Sequence, residues 1–165
     1  MFELKTLSQD AIPHALERIE RYRLLNEPRV AVSICQDILD VDPENQDALV
    51  GMILAITDQF RDNTGARLNQ GLELIPRLSD EYDRDYYTGI CYEREAKARL
   101  NRRYPGVEHD AYDLLHDAMT WFEKADDLRS AGNEDARLRW NSCARVIMEQ
   151  NLTPRPRTEL EQPLE

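Results

Sequence analysis

Apolar residues recur along most of this chain at the roughly 3.6-residue spacing of helices that bury one face. One stretch departs from that rhythm. Residues 48–56 are nine consecutive apolar residues, Ala-Leu-Val-Gly-Met-Ile-Leu-Ala-Ile. A helix with no polar side must be wrapped by protein on nearly every face. The run is far short of the roughly 20 residues that a bilayer demands. It is therefore expected to be a buried helix, ending around Phe60, with the segments before and after it as its wrapping.

The remaining pattern predicts six further helices. Ser8 or Asp10 is expected to cap the first, with Ile12, Ala15, Leu16, Ile19 and Tyr22 on its apolar face. Pro13 is tolerable there because it lies in the first turn. A second helix opens after Asn26-Glu27-Pro28 with Ala31, Ile34, Cys35 and Ile38 inward. It stops near Val41, because Asp42 precedes Pro43 and is pushed out of the helical region. The fourth helix is expected to carry Leu68, Leu72 and Ile75 inward and to end near Pro76. Gly65 and Gly71 weaken it by about 1 kcal/mol each if both are interior. The fifth starts at Ser79-Asp80-Glu81, with acids at its positive end and Lys97, Arg99, Arg102 and Arg103 at the other. Tyr104-Pro105-Gly106 breaks the chain before a sixth helix with Ala111, Leu115, Ala118, Phe122 and Ala125 on one side, running to about Ser130. The seventh presents Ala136, Trp140, Cys143, Ala144 and Ile147. Residues 1–150 thus read as one helical domain, and 151–165 as a disordered, proline-containing tail. No segment reads as a strand.

Composition narrows the function. The chain has 165 residues, 32 acidic against 21 basic, and a net charge of -11. That balance argues against nucleic acid, whose binding depends on neutralising phosphates, and against anionic membrane surfaces. Cys35, Cys91 and Cys143 are too few and too far apart for a disulfide framework or a zinc pattern. The amino terminus lacks a basic region followed by an apolar core, so the expected compartment is a reducing cytoplasm.

Seven helices with short connections suggest stacked antiparallel hairpins, for which the test is a fixed period. Pro43 and Pro76 lie 33 residues apart. Ala31, Cys35 and Ile38 precede the first at the same offsets as Thr64, Leu68 and Gly71 precede the second. Leu49, Met52, Ile53 and Ile56 fill first-helix slots; Thr88-Gly89, Tyr92 and the stretch from Ala118 through Phe122 to Ala125 fill the third hairpin. In the first hairpin Tyr22 fits, while Arg18 and Ile19 stand in the Leu-Gly slots. This pattern resembles the tetratricopeptide repeat: three repeats and a capping helix, over about residues 10–130 and the helix beyond. Gly89 to Ala118 is 29 residues, so helices five and six are longer than the repeat's.

The resemblance implies an all-α stack of helical hairpins that binds a protein or peptide partner and needs no cofactor or metal. Its groove is lined by the first helix of each hairpin. Carried over residue by residue, the groove positions are Leu16, Glu20 and Arg23; Asp47, Val50, Leu54 and Asp58; and Asp83, Tyr86, Ile90, Glu93 and Arg94. The implied groove has an apolar and aromatic floor and a mostly acidic rim, suited to apolar anchors flanked by Lys or Arg. Another reading makes Val50 and Leu54 plain core, covered by Phe2 and Leu4 or by the long hairpin. A further alternative is self-association, with the apolar faces buried between protomers.

Candidate chemistry is sparse. His109, Asp113 and His116 share one face of the sixth helix, at a spacing that metal ligands use. That face lies opposite the apolar stripe, so it is expected to be solvated, as charged helix faces usually are. A helical metalloenzyme on His109 and His116 is the catalytic alternative. The cysteines sit in or beside apolar stripes and read as small core residues. There is no phosphate-cradling glycine loop and no nucleophile elbow.

Overall fold

The computed structural model of the chain describes residues 1–62 and 65–157. Among these, the fold is all-α, with seven helices stacked as hairpins: α1 Ile12–Leu24, α2 Pro28–Val41, α3 Gln46–Asp58, α4 Leu68–Leu72, α5 Glu81–Arg102, α6 Val107–Asp127 and α7 Asp135–Glu149. No helix among the described residues is long and apolar enough to cross a membrane.

Local chemistry sets most boundaries. The backbone leaves α1 through Asn26 in the left-handed region (φ 59), and Pro28 opens α2 at a position where its missing amide is harmless. Asp42, at φ -142 and ψ 79, has left the helical region before Pro43 and ends α2, as expected. Asn45 caps α3: its side-chain oxygen accepts from the amide of Ala48 at 2.9 Å. Arg103 (φ 47) and Gly106 (φ 82) turn the chain from α5 into α6.

Two expectations about ends need correction. Neither Ser8 nor Asp10 caps α1; a 3-10 turn, Gln9–Ala11, leads into it without a side-chain cap. The fourth helix is a single turn of five residues, with Ile75 placed inward by a separate 3-10 turn, Ile75–Arg77. Gly65 lies outside it at φ 84, and Pro76 supplies no amide to extend it. Its inward residues Leu68, Leu72 and Ile75 nevertheless pack as expected. Thr64, matched to Ala31 in the repeat comparison, lies outside the described residues.

The core is three clusters in line. Ile12, Ile19, Ala31, Cys35, Ile38, Ala48 and Ala55 join α1, α2 and α3. Leu49, Ile53, Ile75, Leu78 and Cys91, with Leu68 and Leu72 of α4 packed against them, join α3, α4 and α5. Ile90, Ala96, Phe122 and the rest of the α6 stripe join α5, α6 and α7, with Leu54 of α3 packed against their edge. Helix α3 therefore feeds all three clusters from different sides, which is why residues 48–56 carry no polar face; none of them is exposed. Each helix packs chiefly on its sequence neighbours, and α3 also on α1 and α5, so the helices form a row.

Two glycines permit close crossings. A Cβ on Gly89 would stand 2.5 Å from the Phe122 ring, and one on Gly51 would stand 2.9 Å from Ile19. The first lets α5 and α6 close tightly beneath an aromatic ring; the second brings α3 against α1.

Within residues 151–157, expected as part of a disordered tail, Leu152 is buried and the other six residues are exposed. Leu152 is buried in the α5–α6–α7 cluster, His109 Nδ1 lies 2.9 Å from the carbonyl oxygen of Thr153, and Arg155 pairs with Asp110. Residues 158–165 of that expected tail lie outside the described residues.

Candidate functional site

Helices α1, α3 and α5 each carry their groove positions on one stripe, and the three helices lie side by side. At the carboxy-terminal ends of these stripes the side chains are tied together. Asp58 Oδ2 accepts Nε of Arg23 at 2.7 Å, and its Oδ1 accepts both Nη2 of Arg23 at 3.3 Å and Nη1 of Arg94. One carboxylate thus bridges three helices. Arg94 Nη1 also reaches the carbonyl of Leu54 and the hydroxyl of Thr57, at 3.2 and 2.8 Å.

Glu93, next to Arg94 in sequence, is fully buried. Lys97 donates to its Oε1, and Arg139 of α7 stands 3.5 Å from Oε2, which has no hydrogen-bond partner. Burial without partners would make such a carboxylate costly, and its two cations are what permit it. Burial pulls the Arg94 guanidinium below its ordinary range; Asp58 pushes it back, while Arg23 and Arg139 lower it further.

Around these groups opens a cavity of about 440 Å³ lined by Glu20, Arg23, Leu24, Asn26, Thr57, Asp58, Arg61, Glu93, Arg94, Lys97 and Arg139. Five of the twelve groove positions come together here: Glu20, Arg23, Asp58, Glu93 and Arg94. The other seven do not. Leu16 is half-buried in the α1–α2–α3 cluster, Val50 in the α3–α4–α5 cluster, and Leu54 and Tyr86 against the α5–α6–α7 cluster. Ile90 is core, only 1% exposed. Asp47 is exposed at the start of α3, and Asp83 is half-buried at the start of α5. The Asp83 carboxyl is raised above its ordinary value by burial first, then by Asp80 and Asp47. Tyr86 stacks on Tyr82 (5.7 Å between ring centroids) and meets Tyr87 edge-on.

The mostly acidic rim is corrected accordingly. Acids hold the amino-terminal end of the stripes, at Asp47 and Asp83, whereas the cavity at the other end has five cations against three carboxylates. Sequence reasoning missed Arg61, Lys97 and Arg139. Lys97 was within reach: it continues the Glu93 stripe by one turn, although the helix dipole alone accounts for a cation there. Arg139 carried no comparable signal, because it enters from the capping helix.

The covering expected from Phe2 and Leu4 does not form, for both are exposed. On α6, His109 is turned to Thr153 and His116 stacks on Tyr112, with 6.1 Å between ring centroids. Among the described residues no group of three His, Cys, Asp or Glu side chains gathers as a metal ion would require. The three thiols are buried and unpaired, each pushed up to about 12 chiefly by burial. No family model matches this chain, and no curated protein or solved structure matches it either.

Proposed function

We propose that the chain is a non-catalytic interaction module of the tetratricopeptide type, an adaptor or small chaperone, holding a segment of a partner protein along α1, α3 and α5. The observation that carries this reading is the adjacency of α1, α3 and α5, with a cavity opening at one end of their stripes. The contact between Gly89 and Phe122 supports it, since both residues occupy matched positions of the repeat pattern. Asp47 and Asp83 suit Lys or Arg in the segment that lies over them. The buried, unpaired cysteines suit a reducing cytoplasm, and the net charge of -11 disfavours nucleic acid as partner.

Photo-crosslinking tests it. A photoreactive residue at Glu20 or Asp47, both exposed on this face, is expected to yield partner adducts in the native cell; one at Gln36, exposed on α2, is expected to yield none. Equal adducts at all three positions, or adducts at Gln36 alone, would refute the reading. A second reading, self-association, draws on Leu138 and Met148, exposed on α7 at 63% and 66%. Light scattering separates the two: a stable dimer that buries these residues favours the second.

A further inference from the structure

We propose that the cavity between the carboxy-terminal ends of α1 and α3 and the middle of α5 is a binding site for a phosphomonoester dianion. The argument begins with charge. Asp58 is shared by Arg23 and Arg94, and Glu93 by Lys97 and Arg139, so each carboxylate leaves one cation over. Arg61 adds a third and Glu20 removes one, which leaves two positive charges uncompensated inside a protein of net charge -11. A carboxylate supplies a single negative charge, whereas a phosphomonoester supplies about -1.5 to -2 near neutrality. The second matches the surplus.

The donors fit the same ligand. Four of the five cations are arginines, whose planar forks suit phosphate oxygens. All the hydrogen bonds of Arg94 among the described residues leave from Nη1, so Nε and Nη2 remain for a guest. The guanidiniums are already fixed, Arg23 by two bonds to Asp58 and Arg94 by three acceptors, and little order has to be imposed when an anion enters. The volume of about 440 Å³ lies within the range of small-ligand sites. This goes beyond the partner-segment reading and does not depend on it, because a free phosphomonoester presents the same group as a phosphorylated side chain.

The test is calorimetric titration of the whole chain at low salt with phenyl phosphate and, separately, benzoate. Phenyl phosphate is expected to bind one per chain, about tenfold or more tighter than benzoate. Arg61→Gln with Arg139→Gln is expected to weaken it about tenfold or more. Arg61→Gln alone, an exposed substitution that leaves Glu93 paired, is expected to weaken it about threefold. No heat with phenyl phosphate, equal affinity for benzoate, or undiminished affinity in both variants would overturn the proposal. Pools of random peptides with and without phosphoserine then identify the source of the group. Preference for the phosphorylated pool over phenyl phosphate places it on a protein; the reverse order makes the ligand a free small molecule, and either order supports the dianion site.

Discussion

Gly89 occupies a position where a single methyl group decides the sign of a mutation. In an unconstrained helix interior, Gly→Ala gains up to about 1 kcal/mol. Here the added carbon meets three atoms of the Phe122 ring at 2.5 to 2.9 Å, and overpacking of a dense core costs about 1–3 kcal/mol. Gly89→Ala is therefore expected to lower the melting temperature by several degrees in thermal denaturation followed by circular dichroism; an unchanged or raised midpoint would contradict the packing. The cysteines give a second check. With burial holding Cys35, Cys91 and Cys143 up to about 12, their thiols are expected not to react with a thiol reagent at pH 8 until the chain is unfolded. The buried α6 stripe and the inert thiols were legible in the sequence because small apolar residues at helical spacing have few other places to go. Glu93 was not. A glutamate on a groove stripe reads as exposed, and only the convergence of Lys97 from one turn on and Arg139 from another helix makes its burial tolerable.

At the scale of elements, α3 was the clearest feature of the chain and its wrapping followed from composition alone. Helix α4 was harder, because hydrophobic spacing marks which residues turn inward but does not distinguish a continuous helix from a turn and a 3-10 segment that bury the same three. The carboxy-terminal strap was the least legible. Its prolines and arginines look solvated, yet one buried Leu152 and one pair, Arg155 with Asp110, suffice to lay it along α6. The Tyr104 hydroxyl, then Arg155 and Arg99, hold the Asp110 carboxyl below its ordinary value. A depressed carboxylate contributes fully above its unfolded value and loses that contribution as pH falls through the folded one. The strap is thus expected to hold at neutral pH and to loosen in acid, below the ordinary aspartate range. Asp110→Asn brings the same loosening to neutral pH: hydrogen exchange of residues 151–157 is expected to quicken several-fold, and unchanged exchange would show that Leu152 holds the strap alone.

The whole molecule is a row of three small cores, not one large one. Arrays built of neighbour contacts unfold from their ends, because a terminal unit loses one interface while an internal unit loses two. The α5–α6 hairpin, the longest and most closely crossed, should be the last to open. Amide exchange is accordingly expected to be slowest in α5 and α6, intermediate in α3, and fastest in α1 and α2, with the order read by mass spectrometry; uniform protection along the chain would mean that the row behaves as a single cooperative block. The fold class was legible at this scale because a stack of hairpins needs only local periodicity. The polarity of the shared face was not, since it depends on which charges four separate helices bring to one end.

That end contains one consequence of its own. Two guanidiniums with like charge draw on Asp58 and share its Oδ1, so whatever neutralises or removes one relieves the other of a rival. The carboxylate of α3 thus links the two neighbouring helices electrostatically, and a change of charge on the α5 side is felt by the ion pair on the α1 side.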